Sequence, residues 1–351
     1  MNKQFLHTII GIFITVLVNC SVNAQSVSIW DGTSEIWTQG SGTEANPYLI
    51  QNAQQLAYIA EMVNGGVTHY ENTYFKLTTN IQIDSTTAWQ PIGLNETYYF
   101  SGHFDGDNHL VTLYLTSSTH QYVGIFGYAK NGNISNLGSA GRIEQTVTSM
   151  IAYAGGICGY SSANITNCHN TGTVSSFGYV GGVCGYCIAN SSNTSVNITN
   201  CYNTGNVSSF LSTRYAGGVC GYCIANSSNT SGNTSVNIIN CYSTGAVYSN
   251  GSSGGVCGYC RAYSVYSNTT NSVNITNCYN TGTVSSSYNA GGVCGYCDVY
   301  SYFIDSSNQS KVNIARCHNT GTVSSIYNAG GVCGYCYASE SNTFANITNC
   351  Y

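Results

Sequence analysis

Gly254-Gly-Val-Cys-Gly-Tyr259, Asn274-Ile-Thr-Asn-Cys-Tyr279 and Thr281-Gly-Thr-Val-Ser-Ser286 are three phrases of one unit, and the chain repeats that unit six times between Ile151 and its last residue. The first cysteine of each copy falls at Cys158, Cys184, Cys220, Cys257, Cys294 and Cys333, in steps of 26, 36, 37, 37 and 39 residues. Periods of this size mark solenoids, in which a small unit buries its apolar side only when a neighbour stacks on it. The apolar pieces, such as Val196-Asn-Ile198, are too short for helices and are separated by Gly, Asn and Ser, so the unit reads as strands and turns. The shortest copy has 26 residues, enough for three short strands and three turns. The sequence therefore predicts an all-β, right-handed parallel β-helix.

Length variation is confined to one point. From the Asn-Cys cysteine to the next Gly-Gly-Val-Cys the distance is 16 residues in four of five cases, whereas from the first cysteine to the Asn-Cys cysteine it ranges from 10 to 23. Insertions such as 188–195, 224–235 and 298–310 are thus expected as loops along a single edge, where repeat proteins often bind partners. Tyr263, Tyr266, Tyr300, Tyr302 and Phe303 sit in these insertions and are the candidate binding face.

A degenerate earlier copy, Val123-Gly-Ile-Phe-Gly-Tyr128 with Asn133-Ile-Ser-Asn-Leu137, has Phe126 and Leu137 where later copies have cysteine. Two of the three cysteine columns are therefore read as small buried hydrophobes. The third, Cys187, Cys223, Cys260, Cys297 and Cys336, occurs only in copies with an insertion. Coils about 4.8 Å apart bring a column within disulfide reach, so neighbours in it are candidates for bridging. Removal of a signal segment leaves 17 of the 18 cysteines, an odd number. Cys-Gly-Tyr-Cys has the spacing of a redox pair or half a zinc site. Its place in a glycine-rich strand repeat, without regular histidines, argues against both, and neither metal nor cofactor is expected.

Residues 1–24 have the build of a secretory signal, with Lys3 ahead of an apolar stretch and Val22-Asn-Ala24 before Gln25. The mature chain is expected to be secreted or at the cell surface, with no later stretch long enough to span a membrane. Only 6% of residues are charged and the net charge is −5, which gives no electrostatic basis for binding nucleic acid. Residues 25–120 are unrepeated and read as an N-terminal cap. Within it Asn52 caps a helix from Ala53 to Val63, whose stripe is Leu56, Ile59, Ala60 and Val63. Residues 121–351 form the repeats. The chain stops within a unit, an open edge that suggests a longer natural product or self-association.

Gly42-Thr-Glu-Ala-Asn-Pro-Tyr, Trp89-Gln-Pro-Ile-Gly and Phe104-Asp-Gly-Asp-Asn-His, followed by the Gly-Gly-Val-Cys, Asn-Cys-Tyr and Thr-Gly-x-Val phrases, resemble GLUG-repeat surface proteins. The resemblance implies an adhesin-type secreted or surface protein, with the repeat also found beside the catalytic part of some immunoglobulin A peptidases. It brings no catalytic residues. Polysaccharide-cleaving β-helices need clustered carboxylates, and from Gln145 onward the acidic residues are Asp298, Asp305 and Glu340, in different units. Asp105 and Asp107 resemble a calcium-loop fragment but fit a turn. The expected function is a non-enzymatic binding module for glycans or host extracellular and matrix proteins. The alternatives are a structural stalk and the accessory region of a surface hydrolase.

Overall fold

The computed structural model describes residues 27–84, 89–148, 151–227, 232–265, 269–302, 309–340 and 342–351. The candidate signal segment, Tyr266 and Phe303 lie outside them. The chain winds as a parallel β-helix whose strands join three sheets of 14, 7 and 15 strands. In the short coil the first sheet holds His169–Asn170 and Thr173–Ser176, the second Tyr179–Gly181 and the third Cys158–Thr166. Every ladder between these coils is parallel, and most of its pairs join like to like. Cys158 pairs with Cys184, Cys184 with Cys220, and Val174 with Val207.

The degenerate copy takes its place in register, Phe126 opposite Cys158 and Gly138 opposite His169. Pairing does not stop at residue 120. Val27–Ile29, Asn80–Ile83 and Leu110–Ser117 continue the first sheet, and Tyr48–Ile50, Tyr74–Leu77 and His103–Asp105 continue the third. The unrepeated segment therefore lays down coils of its own, with different residues filling them. Helix Ala53–Asn64 packs against Tyr48–Ile50 and Asn80–Ile83. Asn52 accepts from the Gln55 amide at 2.8 Å, and the expected stripe is buried.

Two backbone demands explain the recurrent phrases. At the Asn before the third cysteine the chain turns in the left-handed region, with φ of 51–55° at Asn136, Asn167, Asn200, Asn240 and Asn277, a conformation that Asn tolerates better than other side chains. From Asn167 on, each of these amides then donates to the Asn one coil earlier at 3.0–3.2 Å. Arg316 keeps the bend at φ 53° and donates through Nε to Asn277 at 2.7 Å. The second demand falls on Gly-Gly. A Cβ on Gly182 would lie 2.2 Å from the Gly218 carbonyl oxygen of the next coil, a separation no side chain accommodates.

Candidate interaction face

The insertions are not loops along their whole length. Residues expected to leave the fold at 188–195 and 224–235 continue the third sheet as strands Cys184–Ala189 and Thr194–Thr199, then Cys220–Asn226 and Thr234–Ile239. The later units do the same with Cys257–Ser264 and Thr270–Thr276, and with Cys294–Ser301 and Gln309–Ala315. The reason is alternation. Ala262, Val273, Val299 and Val312 point inward and are buried, so the outgoing and returning arms have an apolar interior to share. Farther out the interior turns polar and is bridged by hydrogen bonds, although the buried Ser310 hydroxyl has none among the described residues. Asn271 donates to the Tyr263 carbonyl on the opposite arm at 2.8 Å and to Ser227 at 2.9 Å, and accepts from Thr234 at 2.8 Å. Successive coils stack these arms into a two-layered fin.

One outer face of the fin is aromatic and charged. Tyr263 and Tyr300 stack with centroids 5.5 Å apart, and the Arg261 guanidinium lies 4.7 Å over the Tyr263 ring while pairing with Asp298 at 3.2 Å. Tyr259 donates its hydroxyl to Asp298 at 2.8 Å. Tyr302, just beyond, is 63% exposed. Of the five residues singled out in the sequence, Tyr263, Tyr300 and Tyr302 thus lie on this face.

The other outer face was not anticipated. Asn193–Ser195, Asn233–Ser235, Thr270 and Ser272 line a groove of about 320 Å³; all are hydroxyl or amide residues, their carbons form much of its surface, and the Thr234 hydroxyl turns inward to Asn271. Ser235 donates to Ser195 at 2.9 Å, Asn237 donates to the same oxygen at 3.0 Å, and the Thr270 amide donates to Asn233 at 2.7 Å. The signal was the recurrence Thr194-Ser-Val-Asn-Ile198, Thr234-Ser-Val-Asn-Ile238 and Ser272-Val-Asn-Ile275, which fixes Ser and Asn outward and Val and Ile inward.

Most tyrosine elsewhere serves packing. Tyr160, Tyr186, Tyr222 and Tyr259 on the third sheet meet Tyr153, Tyr179 and Tyr215 on the second. Tyr179, Tyr222 and Tyr259 are buried in a cluster completed by Ile188 and Ile224. Burial pushes the Tyr122 and Tyr215 phenols up to about 12. A third column, His169, Tyr202, Tyr242, Tyr279, His318 and Tyr351, stacks face to face at 4.8–5.2 Å. Asp105 accepts from the Asp107 amide and from Asn136, while Asp107 pairs with Lys76 at 3.0 Å, so the calcium-like segment is a satisfied turn.

No disulfide joins the described cysteines. The sulfur contacts of Cys223, Cys260, Cys297 and Cys336 run to the first column rather than down their own. Burial pushes Cys223 and Cys260 well above the ordinary thiol range.

Residues 152–175, which hold the Gly-Gly-Ile-Cys coil, match the family model described as the GLUG motif. The chain carries that motif. A solved structure entitled "putative immunoglobulin A1 protease" from Bacteroides ovatus superposes with a TM-score of 0.59 at 21% identity, covering 89% of this chain and 86% of that one. The two share a fold. A "Putative Gly-rich membrane protein" of Evansella cellulosilytica is 29% identical over 147 residues, 40% of this chain and 16% of that protein's length. Among the described residues no helix is long and apolar enough to cross a membrane.

Proposed function

We propose that the chain is a secreted or surface-presented, non-enzymatic adhesin-like module that binds glycans on its fin. The observation that carries this reading is the groove of hydroxyl and amide side chains between Asn193 and Ser272. Sugars offer many hydrogen bonds and little charge, and a groove without ionised groups suits them. The stacked Tyr263 and Tyr300 on the opposite face supply flat apolar surface of the kind that packs on a sugar ring. The carboxylate of Asp298 is engaged by Arg261 and Tyr259, which disfavours a paired-carboxylate hydrolase at this place. The name of the Bacteroides ovatus structure favours a second reading, an accessory region of a surface peptidase.

The test is a screen of the folded chain on host and microbial glycans and matrix proteins, beside the variants S195A/S235A and Y263A/Y300A. Loss of glycan binding in S195A/S235A supports the groove. Loss in Y263A/Y300A alone moves the site to the aromatic face. Absence of binding by folded wild type favours the accessory or stalk reading.

A further inference from the structure

The Gly-Gly-Val-Cys column and the insertion-linked column interleave into one continuous series of sulfurs. Along Cys220, Cys223, Cys257, Cys260, Cys294, Cys297, Cys333 and Cys336 the successive Sγ separations are 3.2, 3.5, 3.2, 3.6, 3.4, 3.6 and 3.1 Å. The sulfurs of Cys294, Cys297 and Cys333 also lie within 4.8 Å of one another, so at this point the zigzag folds into a compact group. Stacking explains how. Cys257 sits on Cys220 and Cys294 on Cys257, while Cys260 sits on Cys223 and Cys297 on Cys260, so each Cys-x-x-Cys meets the same pair from the next coil.

We infer that two adjacent Cys-x-x-Cys segments form a four-thiolate site for a thiophilic d10 cation, such as Zn(II), Cd(II) or Cu(I). Cys220, Cys223, Cys257 and Cys260 make one site, and Cys294, Cys297, Cys333 and Cys336 the other. Four sulfurs arranged tetrahedrally around a cation at about 2.3 Å stand about 3.8 Å apart, so the successive contacts need to open by a few tenths of an ångström while the separations between non-successive sulfurs close around the ion. Thiolate sulfur is the donor that such cations prefer. On binding, each thiol releases its proton as its sulfur gives a lone pair to the metal, four protons for each tetrahedral site. At the first site the complex holds negative charge in an apolar core, a cost that metal–sulfur bonding outweighs in closed sites built from four thiolates, and at the second site exposure of Cys336 lowers that cost.

The Asn-Cys column is not part of it. Cys201, Cys241 and Cys278 each donate to two backbone carbonyls, and each sulfur receives the amide of the corresponding cysteine in the preceding coil at 3.4 Å. This inference stands apart from glycan binding, since these thiols face the coil interior beneath the fin, buried from Cys220 to Cys297 and opening to solvent at Cys333 and Cys336.

The experiment uses the full chain, purified without oxygen and fully reduced, and titrated separately with Co(II) as a spectroscopic stand-in, Cd(II) and Cu(I). Thiolate-to-metal charge-transfer bands are expected, with two divalent ions retained per chain by native mass spectrometry. C294S/C297S should retain one ion, C220S/C223S one, and C278S two, with circular dichroism confirming each fold. Should a variant fail to fold, cysteine-directed alkylation and peptide mapping of the wild type give an independent answer. Metal should shield the eight named thiols and leave the reactivity of the Asn-Cys column unchanged. A folded, reduced wild type without charge-transfer bands or retained ions overturns the inference. So does an unchanged ion count in folded C294S/C297S, or equal shielding of the Asn-Cys column.

Discussion

In the early coils the interior is built from phenylalanine: Phe75, Phe100, Phe104 and Phe126 meet with ring centroids 5.0–6.1 Å apart. From Cys158 onward the place of Phe126 is held by cysteine in every coil, with Val, Ile and Ala around it. Both regions share strands, sheets and register, so the fold does not depend on which apolar group fills it. What differs is repetition. The early coils interdigitate unlike residues, each shaped to its neighbours. The later coils place like on like, and this generates the long amide chains and the sulfur zigzag that the early coils lack, and extends aromatic stacking from isolated pairs such as Tyr74 with His103 into columns.

The sharpest way to break the comparison is to remove one filler from each region. Phe104→Ala leaves a cavity among fully buried rings and should cost about 3–5 kcal/mol in denaturant unfolding. Cys241→Ala should cost about 1 kcal/mol, because the deleted atom is one small group in a column of like coils. Equal losses would show that the repeated core is packed as tightly as the unlike one.

Alkali tests a feature that both regions share. The Tyr122 and Tyr215 phenols are raised by burial to about 12 from an ordinary 10.0, so the stability they contribute is fully present below pH 10 and is lost as pH rises through their folded values. Partial exposure screens the effect, and the expected loss is about 2–3 kcal/mol between pH 10 and 12. Melting temperature followed with tyrosinate absorbance checks it; a melting point flat across that window would count against burial of these rings.

Asn277→Val, which puts a β-branched residue at a left-handed bend and cuts an amide chain, should cost about 1–2 kcal/mol. Asn277→Gly keeps the bend and should cost less, which separates backbone strain from the amide contacts. The smallest effect belongs to Tyr242→Ala in the partly exposed aromatic column, about 0.5–1.5 kcal/mol. A loss larger than that of Asn277→Val would mean the column carries more than side-chain stacking.

The fold was legible because cysteine, Asn-Cys and Gly-Gly recur at fixed offsets, and a repeat that cannot bury itself alone has few ways to stack. Phe126 and Leu137 even aligned the degenerate coil. The early coils were not legible as coils. Their fillers are unlike, and strands as short as Tyr48–Ile50 carry no periodic signal. At the candidate site the tyrosines stood out by their chemistry, whereas the hydroxyl groove did not. Its residues are ordinary Ser, Thr and Asn in a chain full of them, and their meaning comes from facing one way on an extended arm. The insertions were read as loops because length variation suggests irregularity, although the alternation Cys260, Ala262, Ser264 against Arg261, Tyr263 already described a strand.

Because each coil meets its neighbours through the same residues, the cross-section of the rod and its length are set independently. A unit inserted in frame between Thr173 and Val207 would meet matching partners above and below, lengthen the axis by about 4.8 Å and add one more step to the fin. Duplication or loss of such a unit would change reach and valency together, while leaving the character of each binding step unaltered.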